Sequence, residues 1–214
     1  MVSVDDITCA INNLKVQDSL KAIWENEVCK AWIKMLPIDK ELTLDSFELS
    51  KDFVKVADIV LDDEVNKKGN KTRSTLIMSV PLEDIDWSNS CEYLYMFVLD
   101  GKIVKIGGTR TGLKERISSY LCGHHIKERG KSGKCSVTNA NIYNTFHFYL
   151  QHGFKIEMYG YKLPVHTVKI SLFDEVIETP AQTYHIYEAK YLNAYKKITG
   201  SYPCLSDNAD PNHK

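Results

Sequence analysis

The chain has 214 residues, 43% of them hydrophobic and 26% charged, with a formal charge of −1. That is the ordinary composition of one globular domain, or of one domain with a substantial extension, and the overall charge gives no hint of a polyanionic partner. No apolar run approaches the roughly 18 residues needed to cross a bilayer, "MVSVDDITCA" does not read as a signal peptide, and the cysteines at 9, 29, 91, 122, 135 and 204 form no CxxC pair, so the expectation is a cytoplasmic protein with reduced thiols.

Residues 4 to 36 carry Ile7, Ile11, Leu14, Leu20, Ile23, Trp24, Val28, Ala31, Trp32 and Met35 at helical spacing, which predicts two helical segments ending at Pro37. Thr43, Asp45 or Ser46 can cap a further helix bearing Phe47, Leu49, Phe53, Val54, Ala57 and Val60. "DDEVNKKGNKTRS" (62 to 74) reads as a loop or hinge and "TLIMSV" (75 to 80) as a strand. "YLYMFVLDGKIVKIGGTR" (93 to 110) then predicts a β-hairpin with its turn at Asp100-Gly101. "TGLKERISSYL" (111 to 121) predicts a helix, "CGHHIKERGKSGKCS" (122 to 136) a basic loop, and 139 to 153 a helix burying Ile142, Phe146, Tyr149 and Leu150. A strand over 154 to 164, a second around "HTVKISLFDEVI", and a final helix over 179 to 200, with Pro180 near its first turn and Gly200 at its end, complete the reading. The expected fold class is α+β: a small antiparallel sheet opened by the hairpin and flanked by helices, with a mainly helical N-terminal region.

Charge is unevenly spread. Residues 1 to 66 hold seven lysines, no arginine and fourteen Asp or Glu, whereas 101 to 135 hold nine Lys or Arg against Glu115 and Glu128. A basic segment on a near-neutral chain is a footprint for phosphate backbones, although a merely solvated surface would look the same.

Within the hairpin Lys105 interrupts an apolar strand, and the register decides what it faces. A two-residue turn would pair Leu99 with Lys102 and separate Tyr95 from Lys105. A three-residue loop with a G1 bulge would pair Val98 with Lys102 and set Tyr95 directly across from Lys105. The second register collects Leu94, Met96, Val98, Val104 and Ile106 on one wholly apolar face, and is the one expected. A phenol beside an ammonium would then have its pKa depressed. On the following helix Arg116 and Tyr120 share a face, four residues apart, away from Leu113, Ile117 and Leu121. Taken alone, Arg116 is more ordinary as a surface ion pair with Glu115.

Taken in order, "YLY", "KIGGT", "LKERISSY" and "YHIYEAKYLNAY" resemble the GIY-YIG endonuclease superfamily over residues 93 to 206, a little more than half the chain. Tyr93-Leu94-Tyr95 stand where that family has Gly-Ile-Tyr, and Lys105-Ile106-Gly107 where it has Tyr-Ile-Gly. The Lys in place of the second tyrosine is similar to a variant in some type II restriction enzymes and in related phage and virus proteins. The family's arginine falls on Arg116, its following His or Tyr on Tyr120, and its metal-binding glutamate on Glu188. For the family's terminal asparagine, Ser206 and Asn208 are the nearest positions and neither is a clean counterpart.

The chemistry suits these residues independently. Phosphodiester hydrolysis needs a deprotonated water, neutralisation of developing charge, and help for the leaving oxyanion. Tyr95 could serve as the base, Lys105 could tune it or act on the water itself, Arg116 offers a charged fork to the phosphate, and Tyr120 a hydrogen bond. Glu188 with waters and phosphate oxygens suits Mg²⁺ or Mn²⁺. Gly107, Thr109, Arg110, Lys127, Arg129, Lys131, Lys134, Lys68, Lys71 and Arg73 are the expected contacts to double-stranded DNA. Zinc on Cys122, His124, His125 and Cys135 lacks paired short spacings, and Tyr143, Tyr149, Tyr184 and Tyr191 read as packing residues.

The resemblance implies a type II restriction endonuclease. Residues 1-88 would be a helical specificity and dimerisation region and 89-214 the nuclease domain, the whole acting as a homodimer on a palindrome. The alternatives are a catalytically silent nucleic-acid-binding module of the same fold and a repair or mobility nuclease.

Overall fold

The structure, a computed structural model, describes residues 33–61, 76–79, 90–121 and 136–206. The expectations for helices before residue 33, for the "KKGNKTR" loop with Lys68, Lys71 and Arg73, and for the loop holding Lys127, Arg129, Lys131, Lys134 and the Cys/His group fall outside the described residues.

Strand β3 (Tyr93–Leu99) is buried along its whole length, because it lies inside a sheet covered on both faces; hence its unbroken apolar run. The sheet contains β1 (Val54–Leu61), β2 (Leu76–Ser79), β4 (Lys102–Thr109) and β5 (Ile156–Lys162). Its order is β2-β1-β5-β3-β4 and every pairing is antiparallel. Helices α1 (Leu113–Leu121) and α2 (Val137–Gln151) and helix α3 (Tyr184–Thr199) enclose two cores. Tyr93, Tyr95, Phe97 and Leu99 pack with Leu113, Ile117 and Phe146 on one side. Leu94, Met96 and Val98 pack with Tyr191, Leu192 and Tyr195 on the other. The α+β class and the hairpin-led antiparallel sheet are as expected.

Four local expectations change. The helix expected from about 43 to 60 is replaced by 3-10 turns at Ile38–Lys40 and Glu48–Asp52 followed by β1. β-branched Val54, Val56, Ile59 and Val60 favour the pleated surface over a helix, and β5 supplies the pairing partner. The segment after Pro164 is not one strand but an arm, β6 (His166–Leu172) and β7 (Glu175–Ala181), joined at Phe173-Asp174 with both residues at positive φ. Pro180 therefore sits in β7, and α3 starts only at Tyr184. There the Glu92 carboxylate accepts from the Thr183 N–H and hydroxyl at 2.9–3.0 Å, satisfying the helix's first donors.

The hairpin register is the fourth. Asp100 (φ 44°) and Gly101 (φ 79°) form a two-residue turn pairing Leu99 with Lys102, and the irregularity falls within the ladder, between Phe97 and Val98, where Val104 is the extra residue. Lys105 consequently lies across from Phe97, and Tyr95 across from Gly107. Collecting one apolar face could not select the register, because both faces of β3 are buried.

Candidate active site

The edge strand β4 ends in two consecutive glycines whose missing side chains leave room on opposite faces of the sheet. A Cβ on Gly107 would lie 2.4 Å from the Tyr95 hydroxyl oxygen. A Cβ on Gly108 would lie 3.0 Å from Glu188 Oε2 and 2.7 Å from the Tyr184 ring. The period-2 alternation of a strand thus brings a phenol from β3 and a carboxylate from α3 to adjacent peptide units.

Below Gly107, α1 contributes the cation. Leu113 and Ile117 are buried, which turns Arg116 and Tyr120 towards β3. Arg116 Nε donates to the Tyr95 hydroxyl at 2.9 Å and Nη2 to the Tyr120 hydroxyl at 2.8 Å. The two phenol oxygens are 2.6 Å apart, and the guanidinium lies over the Tyr120 ring, 4.6 Å from its centroid. Losing one proton from this pair would leave a phenol–phenolate hydrogen bond with a guanidinium N–H on each oxygen, a charge-assisted arrangement. Burial opposes it. Burial pushes Tyr95 above the ordinary phenol value, against the pull of Arg116, and holds Tyr120 well above it.

Lys105 does not fill its expected place. It is on the Tyr95 face, one pair along, and its ammonium donates to the Leu205 carbonyl at 2.8 Å. The cation bonded to the Tyr95 oxygen is Arg116, and the expected depression of the Tyr95 pKa by Lys105 is replaced by a rise due to burial. Lys105 acts instead on Glu188, whose carboxyl is raised by burial while Lys105 first, then Arg116 and the Gly108 backbone, oppose the rise. Tyr95, Lys105, Arg116, Tyr120 and Glu188 are therefore brought together.

The segment after α3 closes the outer edge of β4. Leu205 N–H donates to the Val104 carbonyl at 2.9 Å, and the Ser206 hydroxyl accepts from Ile106 N–H at 3.0 Å and donates to its carbonyl at 2.9 Å. Residues 42–44 cover the edge nearer the turn, through Ile103 N–H to Leu42 O and Leu44 N–H to Gly101 O at 2.9 Å. Ser206 thus supports the site by imitating a neighbouring strand. Glu92 and the Leu205 carbonyl were not foreseeable as supports, since their partners lie about 90 and 100 residues away.

Of the expected DNA contacts, Gly107 is occupied by Tyr95 beneath it, and Thr109 is 6% exposed, its hydroxyl bonded within the Thr109–Gly112 turn that leads into α1. Arg110 is exposed. Tyr143, Tyr149 and Tyr191 are core residues, and Tyr184 lies against Gly108. Among the described residues no group of three or more His, Cys, Asp or Glu side chains gathers. Glu188, beside Gly108, is the carboxylate that could hold a divalent cation there, with waters and phosphate oxygens completing its shell. Among the described residues no helix is long and apolar enough to cross a membrane, and Cys91 and Cys204 are not joined in a disulfide.

No family model matches the chain, and no curated protein does. Among solved structures it is similar to the restriction endonuclease HPY188I in complex with product DNA, at 22% identity over 78% of this chain and 86% of that one, with a TM-score of 0.49. It is similar also to a mutant of bacteriophage T4 EndoII, at 19% identity over 75% of this chain and 97% of that one, with a TM-score of 0.47.

Proposed function

We propose that the chain is a GIY-YIG-type DNA endonuclease, a type II restriction enzyme that hydrolyses one phosphodiester bond per strand with one divalent metal ion. The observation that carries this is the fork of Arg116 on the paired Tyr95 and Tyr120 oxygens below Gly107, with Glu188 beside Gly108 one residue on. A binding module needs cations, but not a guanidinium aimed at a buried phenol pair or a half-buried carboxylate set against a glycine backbone.

The scissile phosphate would lie at the end of β4 beside Gly107 and Gly108, within reach of the Tyr95, Arg116 and Glu188 side chains that border the two glycines. Tyr95, as a phenolate held by Arg116 and Tyr120, takes the proton of the attacking water and becomes the neutral phenol. Arg116, always charged, also meets the negative charge that develops on the phosphoryl oxygens. Glu188 would hold Mg²⁺ or Mn²⁺, which when bound supplies Lewis-acid stabilisation of the phosphoryl and leaving oxygens. Lys105, anchored on Leu205, steadies Glu188 in its ionised form. The lysine substitution thus serves the carboxylate side of the site more than the phenol side. Exposed Arg110, with Lys127, Arg129, Lys131, Lys134, Lys68, Lys71 and Arg73, would contact the duplex backbone. A two-fold homodimer, with residues 1-88 contributing specificity and dimerisation and 89-214 the nuclease unit, would cut both strands of a palindrome.

The test is digestion of plasmid DNA with Mg²⁺ by the wild type and by Glu188→Ala and Arg116→Ala. Discrete fragments that disappear with both variants are expected. Wild-type inactivity on every DNA tried, with duplex binding retained, would instead make the chain a silent binding module. Sedimentation as a monomer with and without DNA would remove the dimer.

A further inference from the structure

A cleft of about 610 Å³ opens where β3 begins, β4 and β5 end, and the arm starts. Its apolar lining comes from the two strands of the arm as they leave the sheet, including Pro164, Val165 and Pro180, and its polar lining includes Arg110, Lys162 and Gln182. Glu92 also borders it, but both carboxylate oxygens accept from the Thr183 N–H at the start of α3. Arg110 and Lys162 outnumber Glu92 in the lining, which is therefore positive on balance.

Position ties this cleft to the glycine pair. Tyr93 pairs with Thr109 on one side and with Lys162 on the other, so the cleft continues the line of the site. Arg110 follows Gly108 by two extended residues, about 7 Å, which equals two base-pair steps at about 3.4 Å each. The volume falls in the range of small-ligand sites, roughly 300–1,000 Å³, and is too small for a duplex. Apolar walls, an amide with both donor and acceptor, and cations match a base, its hydrogen-bonding edge and its phosphate.

We propose that the cleft takes a single unstacked nucleotide of the bound DNA, one or two steps from the scissile phosphate, with the base against the Pro164-Val165 and Pro180 surface, its edge met by Gln182 and its phosphate by Arg110 and Lys162. This rests on the nuclease reading for its DNA, but not for its probe. The probe is free 2-aminopurine deoxyribonucleoside 5′-monophosphate, whose fluorescence changes on stacking.

Saturable quenching is expected with the wild type and with Glu188→Ala, and a loss of at least tenfold in affinity with Val165→Glu, at a position 80% exposed and so tolerant of substitution, and with Gln182→Ala. In cleaved duplexes carrying 2-aminopurine at successive positions around the cut, one position should brighten on binding to Glu188→Ala, and Val165→Glu should abolish that signal and raise KM more than it lowers kcat. Absence of saturable quenching by the wild type, or its persistence in both cleft variants, overturns the cleft. Quenching with no cleavage of any DNA overturns the nuclease reading and leaves the nucleotide site standing. Cleavage with no brightened position and an unchanged KM in Val165→Glu overturns the cleft and leaves the nuclease standing.

Discussion

Gly107→Ala perturbs the site at a single atom. The added Cβ would lie 2.4 Å from the Tyr95 hydroxyl oxygen, 2.5 Å from Cζ and 3.0 Å from Cε2. Ordinary contact for such atoms begins near ~3.5 Å, so the phenol or the strand must yield by about 1 Å. Tyr95 has nowhere to retreat. Its ring is fully buried and packs edge-to-face on Phe97 at 5.7 Å, and its oxygen is bonded to Tyr120 at 2.6 Å and Arg116 at 2.9 Å. Overpacking of this kind costs about 1–3 kcal/mol of stability, and a catalytic group displaced by about 1 Å loses on the order of 10²-fold in rate. The expected outcome is a folded protein, destabilised by about 1–3 kcal/mol in urea, with kcat down by about 10²-fold. Gly101→Ala is the control. Nothing lies within 4 Å of its Cβ, but φ is +79°, so it should lose about 1 kcal/mol or somewhat more through backbone strain and keep its kcat. Wild-type kcat in Gly107→Ala would refute the placement of Tyr95 under the reacting phosphate.

Other perturbations probe different supports. Ser206→Ala removes both partners of Ile106 on the outer edge of β4, and should lower stability by about 1–3 kcal/mol in urea denaturation; a loss within error would mean that water replaces the hydroxyl. Because burial raises the Tyr95 phenol above its ordinary 10.0 and the base acts only when deprotonated, kcat/KM should rise about tenfold per pH unit from pH ~7 to ~9. A flat profile over that range would exclude Tyr95 as the base. Glu41 accepts from the Tyr195 hydroxyl at 2.5 Å, and burial raises its carboxyl above 4.5. A raised folded pKa means that the native state holds this proton more tightly, so the stabilisation is complete below about pH 4.5 and is lost as pH rises through the folded value. Glu41→Gln should therefore gain stability relative to wild type on going from acid to neutral pH; parallel stability curves would refute the shift.

How far the sequence disclosed this molecule depended on the range of the signals. β3 and β4 were legible because aromatic and β-branched residues flank an Asp-Gly turn, and α1, α2 and α3 because their apolar positions recur at helical spacing. Segment 54–61 was misread because its β-branched residues mark a strand only when a partner is at hand, and that partner, β5, follows about 100 residues later. The arm was merged into a single strand because Phe173-Asp174 turns through positive φ without a glycine. The five candidate residues do lie together in space, yet the expected contact between Tyr95 and Lys105 is absent, because a bulge at Val104 shifts the ladder by one residue. A one-residue shift leaves composition and periodicity unchanged and alters every cross-strand neighbour.

That bulge also explains how a reactive site can be built on an edge strand. An edge exposes a row of N–H and C=O groups that invites pairing with another chain. Here residues 42–44 take Gly101 and Ile103, and residues 205–206 take Val104 and Ile106. The next group, at Gly108, meets the Glu188 carboxylate, a side-chain partner that can move away without unravelling the sheet. With Val104 paired instead of bulged, Lys105 would fall on the α3 side with Glu188, and its ammonium could not reach the Leu205 carbonyl from the face on which Tyr95 lies. The bulging of Val104 therefore sets three things together: the edge is closed up to Ile106, the lysine is anchored beside the phenol, and the two glycines meet Tyr95 and Glu188 in alternation. Deleting Val104 removes only the extra residue and leaves Lys105 across from Phe97 and Tyr95 across from Gly107. Activity should therefore survive, while urea denaturation shows lower stability from the lost Leu205 N–H bond to the Val104 carbonyl. Loss of activity in a folded deletion variant would refute this pairing.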